Sequence, residues 1–354
     1  MRMIKRTDMT KRKAIKIRTV AIIAAILVTS VFIGSIGHNP FKVYISMIEG
    51  AFGSGYRIRD TLTITIPLIV TSIGIMIAFK MKFWNIGAEG QIIVGALFAS
   101  YFALNFSYLP KVVLLPLMFI AGFIGGGLWA LIPTFFKVQF GTNETIFTLM
   151  MNYVALKWVT YLQYGPWKDP ASMGFPKIAN FEDSALLPKL FGIHIGWVIA
   201  VILIIIITFM MNKTKQGYEI SVVGESVDTA NYAGMNVKKI ILSALFVSGG
   251  IAGLVGMMQV SGVNQTLTTQ VAAGYGYIAI ITAWLSGLKP AIILPVSLLF
   301  AVMIKGGSFI ETAYQIPQAA SDILQSVILF FVIGSEFFIQ YKLIMNKRSK
   351  KEVA

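Results

Sequence analysis

The sequence predicts an all-α integral membrane protein of about ten transmembrane helices, arranged as an inverted five-helix repeat with broken helices around a central cavity. Three observations carry this prediction. Of 354 residues, 56% are hydrophobic and only 13% are charged, about half the charged share of an average soluble domain. Apolar runs long enough to cross a bilayer core recur along the whole chain. Between two of them stands a polar, glycine-broken block, Phe83-Trp84-Asn85-Ile86-Gly87-Ala88-Glu89-Gly90-Gln91. Its carboxylate and amides are costly in hydrocarbon unless they line a cavity or meet partners, and glycine-interrupted helices mark substrate sites in carriers.

The apolar runs cover 19–36, 61–79, 86–106, 112–135, 145–162, 193–211, 241–260, 275–288, 291–304 and 323–341. The eighth and ninth are short, so one of them is expected to be re-entrant or steeply broken. The basic start resembles a secretory signal, but the first apolar run spans about 18 residues and further spans follow, which favours a retained helix. With the N-terminus placed inside, 21 of the 30 Lys and Arg residues fall in inward segments and 8 in outward ones, with Lys157 inside a helix. That asymmetry follows the positive-inside rule. It divides the chain into a basic cytoplasmic N-terminus (1–18), a polytopic transmembrane domain (19–341) and a basic cytoplasmic tail (342–354). The net charge of +15 therefore reflects topology, because a nucleic-acid face needs basic residues interleaved with polar and aromatic ones on a folded surface.

Three connecting segments are long. Residues 39–60 face outward and contain an amphipathic stretch, 41–52, expected to lie along the outer surface. Residues 163–192 also face outward. Residues 212–239 form the longest inward loop, and the alanines, serine and aspartate of 225–233 suit a short helix. A faint internal repeat pairs Gly87-Ala88-Glu89-Gly90 with Gly274-Tyr275-Gly276, each opening an apolar helix. Five helices per copy would invert the second copy and place a binding site near the midplane.

Asn85 and Glu89 are four residues apart, which puts both on one face if the segment is helical. Glu89 then either lines a cavity or is a structural group satisfied by Asn85, by backbone amides or by another helix. Trp84 serves as a cavity wall or as an interface-belt aromatic. Asn143 and Glu144 read as helix capping. Asn152, mid-helix, must face protein or cavity, and Lys157 is expected to snorkel or to pair with an acid. His38 and His194 fall near outer helix ends and read as interfacial residues. Cysteine is absent, which removes disulfides and thiolate metal sites. No phosphate loop of the Gly-x-x-x-x-Gly-Lys type occurs, so ATP hydrolysis through such a site is excluded. Ser248-Gly249-Gly250 lies inside an apolar helix, where small residues favour close helix packing.

Residues 83–97, FWNIGAEGQIIVGAL, resemble the hallmark of permease subunits of bacterial ABC importers for nucleosides, which group with ribose, xylose and branched-chain amino acid permeases. Asn143-Glu144 followed by Thr148-Leu149-Met150-Met151-Asn152-Tyr153 is also similar, as are residues 165–170 (GPWKDP) and the loop 224–235 (GESVDTANYAGM). The block 165–170 favours nucleoside over simple-sugar relatives. Ser226-Val227 and Asp228 depart from the Asn-Pro and small residues that relatives often carry there.

The resemblance implies an all-α permease in the bacterial cell membrane, paired with a second permease subunit and with ABC ATPase subunits. An extracytoplasmic substrate-binding lipoprotein would deliver the nucleoside. No cofactor or metal is expected in this chain, since ATP and magnesium would belong to the partner ATPase. The expected substrate path draws on Asn85, Glu89, Gln91 and Asn152, with Trp84 and Trp284 as walls. The expected ATPase-coupling residues are Glu225, Ser226, Asp228, Thr229, Ala230, Ala233 and Gly234. The alternatives are an ABC permease for a simple sugar or other small solute, an ion-coupled secondary transporter, and an intramembrane enzyme. The secondary transporter is disfavoured by the scarcity of mid-membrane acids, and the enzyme by the lack of a Ser/His, di-Asp or His-Glu-x-x-His constellation.

Overall fold

The computed structural model of the protein describes residues 2–5 and 10–344, so parts of the basic N-terminus and tail lie outside the described residues. The helices are α1 (Lys11–Ser35), α2 (Pro40–Phe52), α3 (Gly55–Lys80), α4 (Ala88–Asn105), α5 (Lys111–Phe140), α6 (Glu144–Tyr164), α7 (Gly196–Lys213), α8 (Lys215–Glu225), α9 (Val227–Tyr232), α10 (Val237–Gln259), α11 (Tyr275–Leu285), α12 (Pro290–Tyr314) and α13 (Gln318–Gln340). Two small antiparallel pairs accompany them: β1 (Arg2–Lys5) with β4 (Tyr341–Ile344), and β2 (Lys189–Leu190) with β3 (Ile193–His194). Among the described residues seven helices, α1, α3, α5, α7, α10, α12 and α13, are long and apolar enough to cross a bilayer.

Each of the ten apolar runs overlaps a helix, but the two short ones differ from each other. The 11 residues of α11 reach about 16 Å, half a bilayer core. The 25 residues of α12 reach about 37 Å, well past the expected end at 304. The helix passes through Lys305-Gly306-Gly307 because those glycines admit neighbours. A Cβ on Gly306 would meet the Met47 carbonyl at 2.7 Å, and one on Gly307 the Ser321 hydroxyl at 2.7 Å.

The chain forms two compact units. In the first, residues 1–58 with 302–354, α1 runs along α13 and Arg18 pairs with Glu336 at 2.6 Å. The amphipathic stretch 41–52 is helix α2, started by Pro40 and capped by Asn39, whose Oδ1 accepts from the amides of Phe41 and Lys42. Its apolar face, Val43 and Met47, joins Ile33, Ile310, Ile316 and Leu324 in a small core. That stretch thus packs into its own unit.

In the second unit, residues 59–301, α10 packs closely against α4 and α5. Glycines make this possible: a Cβ on Gly253 would strike the Gly122 carbonyl, and one on Gly95 or Gly126 would strike Gly253. Apolar surfaces gain little from meeting one another inside lipid, so backbone proximity and dispersion supply the attraction. Ser248 also donates to the Gly74 carbonyl at 2.6 Å, tying α10 to α3.

Contacts define two ends of this unit. At one, the last turn of α3, the start of α6, α8 and α9 surround a recess lined by Met81, Lys82, Glu144, Glu225 and Ser226. At the other, the segment 178–187 closes over the end of α10, with Phe181 bonded to Gln265 and Leu187 to Ser261.

Candidate functional site

The polar block is where the chain leaves one helix and begins the next. Asn85 lies before α4, so its expected helical alignment with Glu89 does not form. Instead Asn85 and Gln91, both buried, exchange two amide hydrogen bonds of 3.2 and 3.1 Å, and Asn85 Oδ1 also accepts from the Gly87 amide at 3.0 Å. Amide pairs of this kind satisfy each other and hold a non-helical turn at membrane depth.

Glu89, in the first turn of α4, reaches the start of α11. Its Oε1 accepts from the Gly274 amide and its Oε2 from the Gly276 amide, both at 2.8 Å. One carboxylate therefore satisfies free amides of a half-length helix and sits in the positive field of two helix N-termini. Gly276 is required there, since a Cβ would strike the Glu89 backbone and lie 2.7 Å from its Oε2. From this meeting point α4 runs towards the end closed by 178–187 and α11 runs back towards α9. Trp284 near the end of α11 stacks on Trp84, with ring centroids 5.5 Å apart and planes 21° apart, and Phe79 completes the cluster.

Asn152 on α6 is 3% exposed and fully used. Its Oδ1 accepts from the Gly90 amide at 2.8 Å, and its Nδ2 donates to the Ile86 carbonyl at 3.0 Å and to the Tyr277 hydroxyl at 3.3 Å. Asn143 caps α6 by accepting from the amides of Thr145 and Ile146, and Glu144 pairs with Lys137 at 2.7 Å.

Beside this junction lies a cavity of about 590 Å³, within the range of small-molecule sites. Of the expected path residues it brings together Glu89 and Asn152. Asn85 and Gln91 stand behind it as scaffold, and Trp84 and Trp284 stack outside its lining. Tyr153, Thr160, Gln163 and Tyr164 of α6 form one wall, and Thr269, Gln270 and Tyr277 the other. Gln163 donates to the Pro176 carbonyl at 2.6 Å, while its Oε1 finds no partner among the described residues. Among the described residues the lining contains no Lys or Arg, and its one carboxylate is occupied by backbone amides. The cavity thus offers hydroxyls, amides and tyrosine rings to a neutral solute. Sequence reasoning missed the tyrosines and the 269–277 wall. The signal was the polar run Asn264-Gln265-Thr266 to Gln270, placed between two apolar helices.

At the far end, the helix expected in 225–233 is α9. Ser226 caps it by accepting from the Thr229 amide, and Gly234 follows it with a left-handed φ of +73°. Glu225, Asp228, Thr229 and Ala233 are exposed, whereas Ala230 is 0% exposed and packs into the chain itself. Tyr232, which sequence reasoning passed over, is 94% exposed. Two contacts join this region to the residues just before the polar block. A Cβ on Gly224 would strike the Lys80 carbonyl, and Lys82 donates to the Glu225 carbonyl at 3.3 Å.

His194 lies at the helix end expected for it, in β3 ahead of α7, but it is 2% exposed and packs inside the protein. Gly196 and Gly262 make room for its ring, and its Nδ1 accepts from the Gly196 amide at 3.3 Å. Lys157 is exposed, as snorkelling requires.

A polytopic helical chain whose broken helices meet at a polar cavity has the construction of a membrane transport protein. Residues 57–333 match the family described as branched-chain amino acid transport system / permease component, and the chain belongs to that family. It is 33% identical to a glucose ABC transporter permease protein of Haloferax volcanii, over 91% of this chain and 87% of that one. It is 30% identical to a nucleoside ABC transporter permease protein of Lactococcus lactis subsp. cremoris, over 97% of both chains. A guanosine ABC transporter permease protein of Bacillus subtilis is 31% identical, over 89% of this chain and 91% of that one. The chain is a multi-pass cell-membrane permease subunit, and ATP hydrolysis belongs to a separate subunit.

Proposed function

We propose that this permease passes nucleosides into the cell. The carrying observation is the cavity itself: Tyr153, Tyr164 and Tyr277 with Gln163, Thr269 and Gln270, and among the described residues no basic side chain to hold a carboxylate. A nucleoside is neutral, has a flat base for aromatic faces and carries ribose hydroxyls for amides. The two similar permeases named for nucleoside and guanosine transport support this reading. An amino acid's carboxylate would lack a cationic partner here.

In this reading both termini and the 212–239 loop are cytoplasmic, α9 docks on an ABC ATPase, a second permease subunit completes the path, and an extracytoplasmic lipoprotein delivers cargo over segment 178–187. Motion of α9 reaches the cavity through Lys80 and Lys82, the Trp84–Trp284 stack and α11, whose start Glu89 holds.

The test is uptake by the reconstituted transporter with labelled guanosine, uridine and glucose. Saturable nucleoside uptake that glucose does not compete supports the reading. Glucose uptake alone assigns the chain to sugar transport, as the similarity to the Haloferax protein would favour.

A further inference from the structure

An apolar groove of about 220 Å³ opens between α3, α7 and α12, lined by Leu62, Ile66, Trp197, Val201, Leu294 and Leu298 among others. Two exposed cations, Arg59 and Lys189, stand on the elements that border it. Arg59 lies one turn before Leu62, and its Cδ is 2.7 Å from where a Cβ on Gly192 would sit. Gly192 is in the tight turn of the β2–β3 hairpin, whose first strand carries Lys189. Among the described residues neither cation has an ion-pair partner within 4 Å. Of the acids nearby, Asp60 is within electrostatic reach of Tyr275, and Asp183 lies on the short helical turn packed against α5. The hairpin turn also places Phe191 at φ +57°, unusual for a bulky residue, and leaves it 79% exposed beside Trp197, with ring centroids 6.5 Å apart. Bulky side chains avoid left-handed turns unless something favours their position. A Phe/Trp pair above an apolar groove belongs at headgroup depth.

We propose that this groove binds an anionic glycerophospholipid, with one acyl chain between α3, α7 and α12 and the phosphate between Arg59 and Lys189. Any acyl chain can fill the groove, because lipid tails and Leu side chains are equally apolar. The headgroup therefore sets the preference. The cations stand at the end where the positive-inside asymmetry leaves few, and two of them attract an anionic headgroup additively. This inference is independent of the cargo.

The full-length protein, extracted in mild detergent and titrated with dioleoyl phosphatidylglycerol or dioleoyl phosphatidylcholine, is read by native mass spectrometry. Phosphatidylglycerol should be retained with up to about 30-fold higher affinity, from two basic groups acting together. The double variant Arg59→Gln/Lys189→Gln should remove that preference, and Val201→Trp should displace lipid from the groove. Both substituted cations are exposed, so folding should be unchanged; if the double variant does not fold, Val201→Trp alone decides. Equal retention of the two lipids, or a preference that survives Val201→Trp, overturns the proposal. So does a copper-phenanthroline-oxidised disulfide between Val201→Cys and a cysteine introduced in another membrane subunit of the assembled transporter, which would assign the face to protein.

Discussion

Trp84 and Trp284 stack 5.5 Å apart, so the half-length helix α11 is fastened at both ends by one stretch of chain. Trp84 holds its end and Glu89, five residues later, holds its start. The turn between them is kept rigid by the Asn85–Gln91 amide pair. A shift of the turn therefore moves α11 as a body, and Tyr277 and Gly274 in the cavity wall move with it.

Glu89→Gln should weaken this fastening. Glutamine offers one acceptor and turns an NH2 towards an amide donor, so one charge-assisted hydrogen bond is lost, at about 2 kcal/mol. Thermal melting of the purified variant should fall, and uptake by the reconstituted transporter should fall further, because α11 would no longer follow the turn. Unchanged melting and uptake together would remove Glu89 from both roles.

The inward loop can be tested by contrast. Tyr232→Ala, at 94% exposure, should leave folding intact while reducing substrate-stimulated ATPase activity. Ala230→Trp should instead lower the folded yield, because its methyl group is wholly buried within the chain. Normal coupling in Tyr232→Ala would move the ATPase contact away from α9. This chain has no cysteine, so single cysteines at Asp228 and Lys189 can report sidedness. In intact cells only the one at Lys189 should react with an impermeant maleimide.

The membrane class, the run of helices and the polar block were legible because hydropathy and glycine placement are local properties of the chain. Glu89 and Asn152 stood out for the same reason: a carboxylate and an amide in apolar surroundings must have partners. Their partners were not legible, since the Gly274 and Gly276 amides lie about 185 residues away in sequence and are backbone groups without a side-chain signature. The burial of Ala230 was not legible because a helix of six residues has too few turns to show which face is buried. The length of α12 was not legible because Lys305 ends the apolar run, and folding alone brings Met47 and Ser321 against Gly306 and Gly307.

His194 lies in the β2–β3 hairpin, ahead of the first residue of α7, Gly196. Burial, reinforced by the charge of Lys189, lowers its pKa from 6.5 to about 4. Between those values the unfolded chain holds a proton that the folded chain does not, so stability falls as pH drops from 6.5 to 4 and levels off below. The whole window amounts to about 3 kcal/mol. Thermal melting followed against pH should show this slope, and His194→Gln should flatten it. An equal slope in both proteins would assign the acid sensitivity to other groups.

The cavity makes opposite demands on two neighbouring polar groups. Asn152 is consumed by the fold: Asn152→Leu would strand the Gly90 amide and the Ile86 carbonyl, costing about 3 kcal/mol for two buried unpaired groups. That variant should melt early and transport poorly. Tyr277 accepts from Asn152 and keeps its own hydroxyl proton for the cavity. Tyr277→Phe should therefore melt close to the unsubstituted protein. Its nucleoside uptake should nonetheless drop about fivefold, the rate equivalent of one hydrogen bond of about 1 kcal/mol. The pairing of measurements matters more than either alone. A stable Tyr277→Phe with normal uptake would remove the hydroxyl from the substrate path, and an Asn152→Leu that melts normally would contradict the bonding that joins α6 to the polar block.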